Sequence, residues 1–317
     1  MWLLKKIVIH LYKIAVFVIF IFICVYKISY SNSKDTYLVK LKTFEPVIIK
    51  LLEKKVDSAF IEFILKNENT RFDEKYIKIN VIGFLKQPDY SHHYNDFSVR
   101  KTFDFITDNI ETFKKCENKF KIPKEIVAAI IWIESKNGNY LGSHHIPTVL
   151  LSTSLASEPQ FIDMNKKNLY EILKDSNLSL STIKNYEEKI VTRSIKKSER
   201  AFNELLALYE IYKNDNYDVT NIYGSWAGAF GISQFLPSSY LNWAIDGNND
   251  NIVDLFCIED AIFSVANYLK INGWSNDLND KKKALFHYNN SNDYVNAVFI
   301  LAEKVKNFES LLKPLDE

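Results

Sequence analysis

The sequence predicts a mainly α-helical fold, and three observations carry that prediction. Apolar residues recur at helical spacing in segments such as Phe44–Lys55, Ser58–Lys66 and Ala201–Tyr212. Only 8 Gly and 7 Pro occur in 317 residues, too few for the many tight turns of an all-β fold. Hydrophobic residues make up 47% and charged residues 25%, which excludes wholesale disorder and supplies a real core. At roughly 150 residues per domain, the length allows one large or two small domains.

Residues 1–30 stand apart from the rest. Lys5 and Lys6 precede Ile7–Tyr12, Lys13 interrupts, and Ile14–Tyr26 is then continuously apolar. With Lys13 tolerated, Ile7–Tyr26 gives about 20 residues, the length that spans a bilayer as a helix. The shorter run alone fits the apolar part of a signal peptide, with Ser29-Tyr30-Ser31 as a cleavage site. Cys24 follows Ile23 rather than a small residue, which argues against a lipoprotein signal. Lysines on the N-terminal side keep that end cytoplasmic. Residues 1–30 are therefore expected to be a membrane anchor or a signal segment. The body then lies outside the cytoplasm, where ATP-dependent chemistry is not expected.

Residues 31–102 read as an N-terminal helical region, with helices over Phe44–Lys55 and Ser58–Lys66. Tyr76–Leu85 is ambiguous, because Ile77, Ile79 and Val81 alternate like a short strand. Phe103–Phe120 reads as one helix with Phe103, Ile106, Ile110 and Phe113 on a single stripe. Pro123 suits a helix start, and Glu125–Ser135 continues as a nearly all-apolar helix closed by Asn137-Gly138. Glu158–Ile195 is charged and poorly periodic and reads as an inserted segment. Ala201–Tyr212, Ala261–Ile271 and Asp293–Val305 complete the expected helices.

Charge and cysteine content exclude further classes. Forty Lys+Arg against 39 Asp+Glu give a formal net charge of +1, without the basic excess that a nucleic-acid partner requires. Three cysteines, Cys24, Cys116 and Cys257, are too few for a disulfide framework or a cysteine zinc site. The pairs His92-His93 and His144-His145 lack zinc-helix spacing and read as polar loop residues.

Three places could hold chemistry. Glu134 follows the uninterrupted apolar run Ile126–Ile133 and lies in the last helical turn before Gly138. Desolvation and the negative end of the helix dipole both raise the pKa of a carboxyl placed there. A carboxylic acid kept protonated near neutral pH can serve as a general acid for glycosidic cleavage; an ordinary helix-end glutamate that reaches solvent is the alternative. The segment Gly224–Tyr240 gathers three glycines with aromatics, Ser and Gln, a composition that suits a sugar groove or a turn-rich linker. It matches neither a dinucleotide fingerprint nor a phosphate loop. Asp246-Gly247-Asn248-Asn249-Asp250-Asn251-Ile252 places oxygen ligands at positions 1, 3, 5 and 7 of an EF-hand pattern. Position 6 is Asn251, which tolerates a left-handed backbone, and position 12 is Cys257. An extended loop closed by Asp260 restores the ligand set; a solvated Asn/Asp turn is the alternative.

Taken together, these segments resemble the lytic murein transglycosylases of the B type. Ile122-Pro123-Lys124-Glu125 running to Trp132-Ile133-Glu134-Ser135 and Gly138 is similar to that family's catalytic-glutamate helix. Gly224-Ser225-Trp226-Ala227-Gly228-Ala229-Phe230-Gly231, then Gln234-Phe235 and Pro237-Ser238-Ser239, follows its signature almost throughout. Asp260–Leu269 with Gly273-Trp274 resembles the helix after its calcium loop, and Tyr288-Asn289 with Tyr294 the C-terminal edge of its glycan groove. One departure is Lys196-Lys197, where the family usually carries two arginines.

The resemblance implies a lysozyme-like transglycosylase domain over 103–317 with a small EF-hand-like calcium-loop subdomain at 246–260. It implies Glu134 as the catalytic residue, with Ser225, Gln234, Phe235, Tyr268, Tyr288, Asn289 and Tyr294 on the substrate. Asp246, Asn248, Asp250, the Ile252 carbonyl and Asp260 would hold a structural calcium ion, and no catalytic cofactor is expected. The implied reaction breaks the MurNAc–GlcNAc β-1,4 bond of peptidoglycan and closes a 1,6-anhydro ring. The expected partners are glycan strands, the membrane through residues 7–26 and other cell-wall enzymes, and the expected place is the periplasmic face of a bacterial envelope. A hydrolytic muramidase of the same fold and a non-catalytic peptidoglycan-binding scaffold are the alternatives.

Overall fold

The computed structural model describes residues 33–85, 89–174, 178–214 and 218–312. The expected membrane segment Ile7–Tyr26 and the cleavage site after it lie outside the described residues. Among the described residues, no helix is long and apolar enough to cross a membrane.

The fold is mainly α-helical, as the periodicity predicts. In chain order the helices are α1 (Ser33–Thr43), α2 (Glu45–Glu53), α3 (Ser58–Lys66) and α4 (Glu74–Ile82), then α5 (Asp96–Asp108), α6 (Ile110–Phe120) and α7 (Lys124–Ser135). They continue as α8 (Ile146–Ser154), α9 (Pro159–Leu173) and α10 (Leu180–Lys213), and end with α11 (Pro237–Trp243), α12 (Ile258–Ile271), α13 (Leu278–Tyr288) and α14 (Asn292–Leu312). The described residues form two compact units, each drawn from two stretches of chain: those from Ser33 to Gly83 with those from His145 to Ile222, and those from Phe84 to His144 with those from Tyr223 to Leu312. This partition differs from the contiguous boundary at 102/103 drawn from the sequence, because 145–222 packs with the N-terminal helices.

In the first unit, α8 packs against α4 and α10, and α9 packs against α10. Segment 76–82 is helical rather than extended. Asp73 caps α4 by accepting the Lys75 amide, and Tyr76, Ile77, Asn80 and Val81 are buried at helical spacing while Ile79 is exposed. Within Glu158–Ile195 lie α9 and the first half of α10. Its period escapes a hydrophobic scan because serines occupy the buried face: Ile190, Ser194, Ser198, Ala201 and Leu205 line it. Ser198 donates to the Ser154 carbonyl, which satisfies that hydroxyl within the unit. His145 is buried rather than a loop residue, with Nε2 against the Thr220 carbonyl at 2.8 Å and Nδ1 against Thr148 Oγ1 at 2.9 Å.

In the second unit, α7 is the central helix and packs against α5, α6, α12 and α14. Every residue from Ile126 to Ile133 is buried, which is why this segment shows no amphipathic period. The single helix expected over Phe103–Phe120 is two helices, broken at Asn109, whose side-chain amide donates to the Phe105 carbonyl. Phe105 and Ile106 are buried before the break and Phe113, Cys116 and Phe120 after it. Cys116 and Cys257 are unpaired thiols, the first buried in the core and the second on the loop before α12.

Candidate active site

Glu134 stands one residue from the end of α7. Three successive left-handed residues, Lys136, Asn137 and Gly138, stop the helix there. Ser135 fastens the stop, its hydroxyl donating to the Ile131 carbonyl at 3.2 Å and accepting the Gly138 amide at 3.0 Å. The Glu134 carboxyl is thus held on a rigid, buried helix rather than on a loop. Burial raises its pKa to about 7, and one hydrogen bond pulls the other way: Tyr294 Oη donates to Oε1 over 2.7 Å. The acid is therefore poised near neutrality by its surroundings, with no neighbouring charge needed.

A run of aromatic rings surrounds this carboxyl. Tyr294 stacks on Tyr288 with centroids 6.3 Å apart and meets Tyr90 edge-on at 5.8 Å. Tyr288 contacts Tyr268 at 4.8 Å and Phe235 at 5.9 Å, and Tyr268 meets Trp243 at 4.5 Å. Tyr288 Oη donates to the Ser233 carbonyl at 2.6 Å, which ties α13 to the glycine-rich segment. Burial and the nearby Glu134 carboxyl push the phenols of Tyr288 and Tyr294 well above their ordinary value, so both stay neutral donors. Tyr90, which the sequence reading missed, lies within electrostatic reach of Glu134 and hydrogen-bonds Asn289 and Ser291. No local spacing marks it; only the fold brings it to Glu134.

The glycine-rich segment Gly224–Tyr240 forms a tight wall of the same unit. Phe230 bridges to both Gly224 and Phe235 in antiparallel pairing. Gly231, at φ +75°, lies so close to Leu255 that an added Cβ would stand 2.5 Å from the Leu255 Cβ. Likewise a Cβ on Gly142 would fall 2.1 Å from the Gly224 carbonyl oxygen, so the loop after α7 and the start of this segment touch backbone to backbone. Ser225 Oγ accepts the amides of Ala227 and Ala229 and holds the turn. Gln234 spends both amide hydrogens on the Leu141 and Gly231 carbonyls, leaving Oε1 as an acceptor.

The expected substrate residues thus divide into two sets. Tyr294 is fully buried, and Phe235 and Tyr268 are nearly so. These three were expected on the sugar; in the structure Tyr294 bonds Glu134, and Phe235 and Tyr268 pack against Tyr288. Tyr288, Asn289, Gln234 and Ser225 keep partial exposure.

The loop ahead of α12 is closed by hydrogen bonds. Asp246 accepts the amides of Asn249 and Asn251, and Asn248 and Asp250 accept those of Asp250 and Ile252. Asn249 and Asn251 adopt the left-handed backbone, at φ 63° and 69°. Asp260, 1% exposed, brackets the loop by accepting Gly247 N and Asp254 N, each at 2.7 Å. Among the described residues, no three His, Cys, Asp or Glu side chains converge on a metal position. The donor set is nevertheless all oxygen (Asp246, Asn248, Asp250, the Ile252 carbonyl and Asp260), a chemistry that fits a hard cation such as calcium. Cys257, at the twelfth position, donates instead to Glu259.

Comparison with known proteins places these features in a family. The chain is 29% identical over 155 residues to membrane-bound lytic murein transglycosylase B of Escherichia coli K12, a stretch covering 49% of this chain and 33% of that protein. It therefore spans about a third of the length of that relative. The fold is similar to the E. coli lytic transglycosylase SLT35, solved with bulgecin A and with calcium, at TM-scores of 0.64 and 0.63 and 18% identity, covering 86% of this chain and 94% of that one. It is also similar to SltB3 of Pseudomonas aeruginosa in complex with NAG-anhNAM-pentapeptide, at a TM-score of 0.62 and 17% identity over 84% of this chain and 79% of that one. The transglycosylase SLT domain profile matches residues 85–279, more than half of the sequence, and the chain belongs to that family.

Proposed function

We propose that the protein is a peptidoglycan lytic transglycosylase that cleaves the MurNAc–GlcNAc β-1,4 bond and leaves 1,6-anhydro-MurNAc ends. The observation that carries this reading is Glu134: a single carboxyl with its pKa raised to about 7 by burial and one oxygen fixed by Tyr294. With Tyr294 on Oε1, the proton is presented from Oε2 to the glycosidic oxygen. As the bond breaks, the muramic N-acetyl group shields the sugar cation, replacing the second carboxylate of two-carboxylate glycosidases. The ionised Glu134 then takes the proton of the muramic 6-hydroxyl, whose oxygen closes the ring on C1 and restores the acid. Proton and bond balance without water, as a site walled by Tyr90, Tyr288 and Tyr294 favours.

Sugar contacts are assigned to the partly exposed set, Tyr288, Asn289, Gln234 Oε1 and the Ser225 hydroxyl. The loop at 246–260 is proposed to take calcium on Asp246, Asn248, Asp250, the Ile252 carbonyl and Asp260; the ion would supply loop rigidity and no step of the chemistry. SLT35 with calcium and the all-oxygen donor set support that assignment. A place at the cell envelope, attached through residues 7–26, is supported by their apolar composition and by the membrane-bound relative.

The test is release of soluble muropeptides from purified peptidoglycan by the full chain and by Glu134→Gln. Release by the wild type alone is expected. Equal release by both removes Glu134 from the reaction. Binding without release by either would favour a scaffold.

A further inference from the structure

The chain that leaves Glu134 returns to the site by a second route. Lys136, two residues on and in the left-handed conformation, folds back over the Trp132 ring, its Nζ 4.6 Å from the centroid. The same Nζ lies 2.7 Å from His93 Nδ1. An ammonium has no acceptor, so Lys136 donates and His93 accepts. Burial and the adjacent Lys136 charge drive His93 down to about 4, which keeps that nitrogen's lone pair available.

His93 belongs to the short turn Ser91–His93, which begins at Tyr90. Its amide donates to the Tyr90 carbonyl at 2.9 Å, and its ring lies 5.8 Å from the Tyr90 ring. Tyr90 in turn meets Tyr294, and Tyr294 holds Glu134. The contacts close a ring from Glu134 through Tyr294, Tyr90, His93 and Lys136 back to the end of α7.

We propose that Lys136 and His93 form a positioning pair that sets Tyr90 against Tyr294 and so fixes the Glu134 carboxyl for its proton transfers. The inference rests on the transglycosylase reading. The pair touches no reacting atom; its role is to lock the turn bearing Tyr90 to the same helix end that bears Glu134. A loose turn lets Tyr90 and Tyr294 drift, and small misplacements near reacting groups are costly in rate.

The experiment measures kcat and KM for muropeptide release by the full chain and by Lys136→Met, His93→Leu, the double variant and Lys136→Arg, with thermal stability of each. The pair predicts that either single change lowers kcat about ten- to a hundred-fold with KM little moved. The double variant falls no further than a single one, and Lys136→Arg recovers most of the rate. His93→Leu lies outside α7 and reports on the pair even where Lys136→Met disturbs the helix end. Wild-type kcat in both single variants, a change in KM alone, or losses that multiply in the double variant would each overturn the pairing. A wild-type chain that releases nothing overturns the transglycosylase reading, and this inference with it.

Discussion

Tyr294 donates its phenolic hydrogen to Glu134 Oε1 over 2.7 Å, joining α14 to the end of α7. This bond favours the ionised carboxyl and partly offsets the desolvation that raises its pKa to about 7. Tyr294→Phe therefore pushes the acid further up. The alkaline limb of kcat/KM moves to higher pH by up to about one unit, the worth of one hydrogen bond. A pH–rate profile of the two proteins checks this.

Glu134 also makes stability depend on pH, with a definite sign. Below the ordinary value of 4.5 the group is protonated in folded and unfolded chains alike and has no effect. Between 4.5 and about 7 the unfolded chain ionises first, so the folded state loses ground; above about 7 the loss is complete. Its size is on the order of 3 kcal/mol. Glu134→Gln carries no such cost. Its melting temperature should exceed that of the wild type at pH 8 and match it at pH 4, while muropeptide release falls by at least about a thousand-fold.

Ile130 is fully buried in the middle of α7. Ile130→Ala leaves a cavity where α7 meets its neighbouring helices and should cost about 2–5 kcal/mol, read from chemical denaturation. Activity per folded molecule should change far less than stability, because the residue lies a full turn before Glu134.

The bracket at Asp260 predicts both a stability loss and a cation response. Asp260→Ala strands the amides of Gly247 and Asp254 and should cost about 2–4 kcal/mol. If calcium occupies the loop, chelation lowers the melting temperature of the wild type and leaves that of Asp250→Ala unchanged. Calorimetry with and without chelator separates the bracket from the ion.

Much of this site is written locally. Glu134 is legible because an acid ends an apolar run just before Gly138, and the structure keeps that order: a buried helix, then three left-handed residues. The oxygen pattern from Asp246 to Ile252 is equally local, down to the left-handed Asn251. What escapes is non-local. Tyr90 carries no motif, and His93 looks like a loop residue until Lys136 folds back onto it. Tyr294 was expected at the site, but its burial and its hydrogen bond to Glu134 depend on α14 packing against α7. Helix α10 hides for another reason: Ser194 and Ser198 take buried positions that a hydrophobic pattern assigns to solvent.

In the proposed reaction the ionised Glu134 takes the proton of the muramic 6-hydroxyl, whose oxygen closes on C1, and water takes no part. The measurement that tests it most directly is digestion of purified peptidoglycan by the wild-type chain in oxygen-18 water, followed by mass spectrometry of the released ends. The expected products are 1,6-anhydro ends carrying no heavy oxygen. Reducing ends labelled with oxygen-18 would contradict it and make the protein a muramidase.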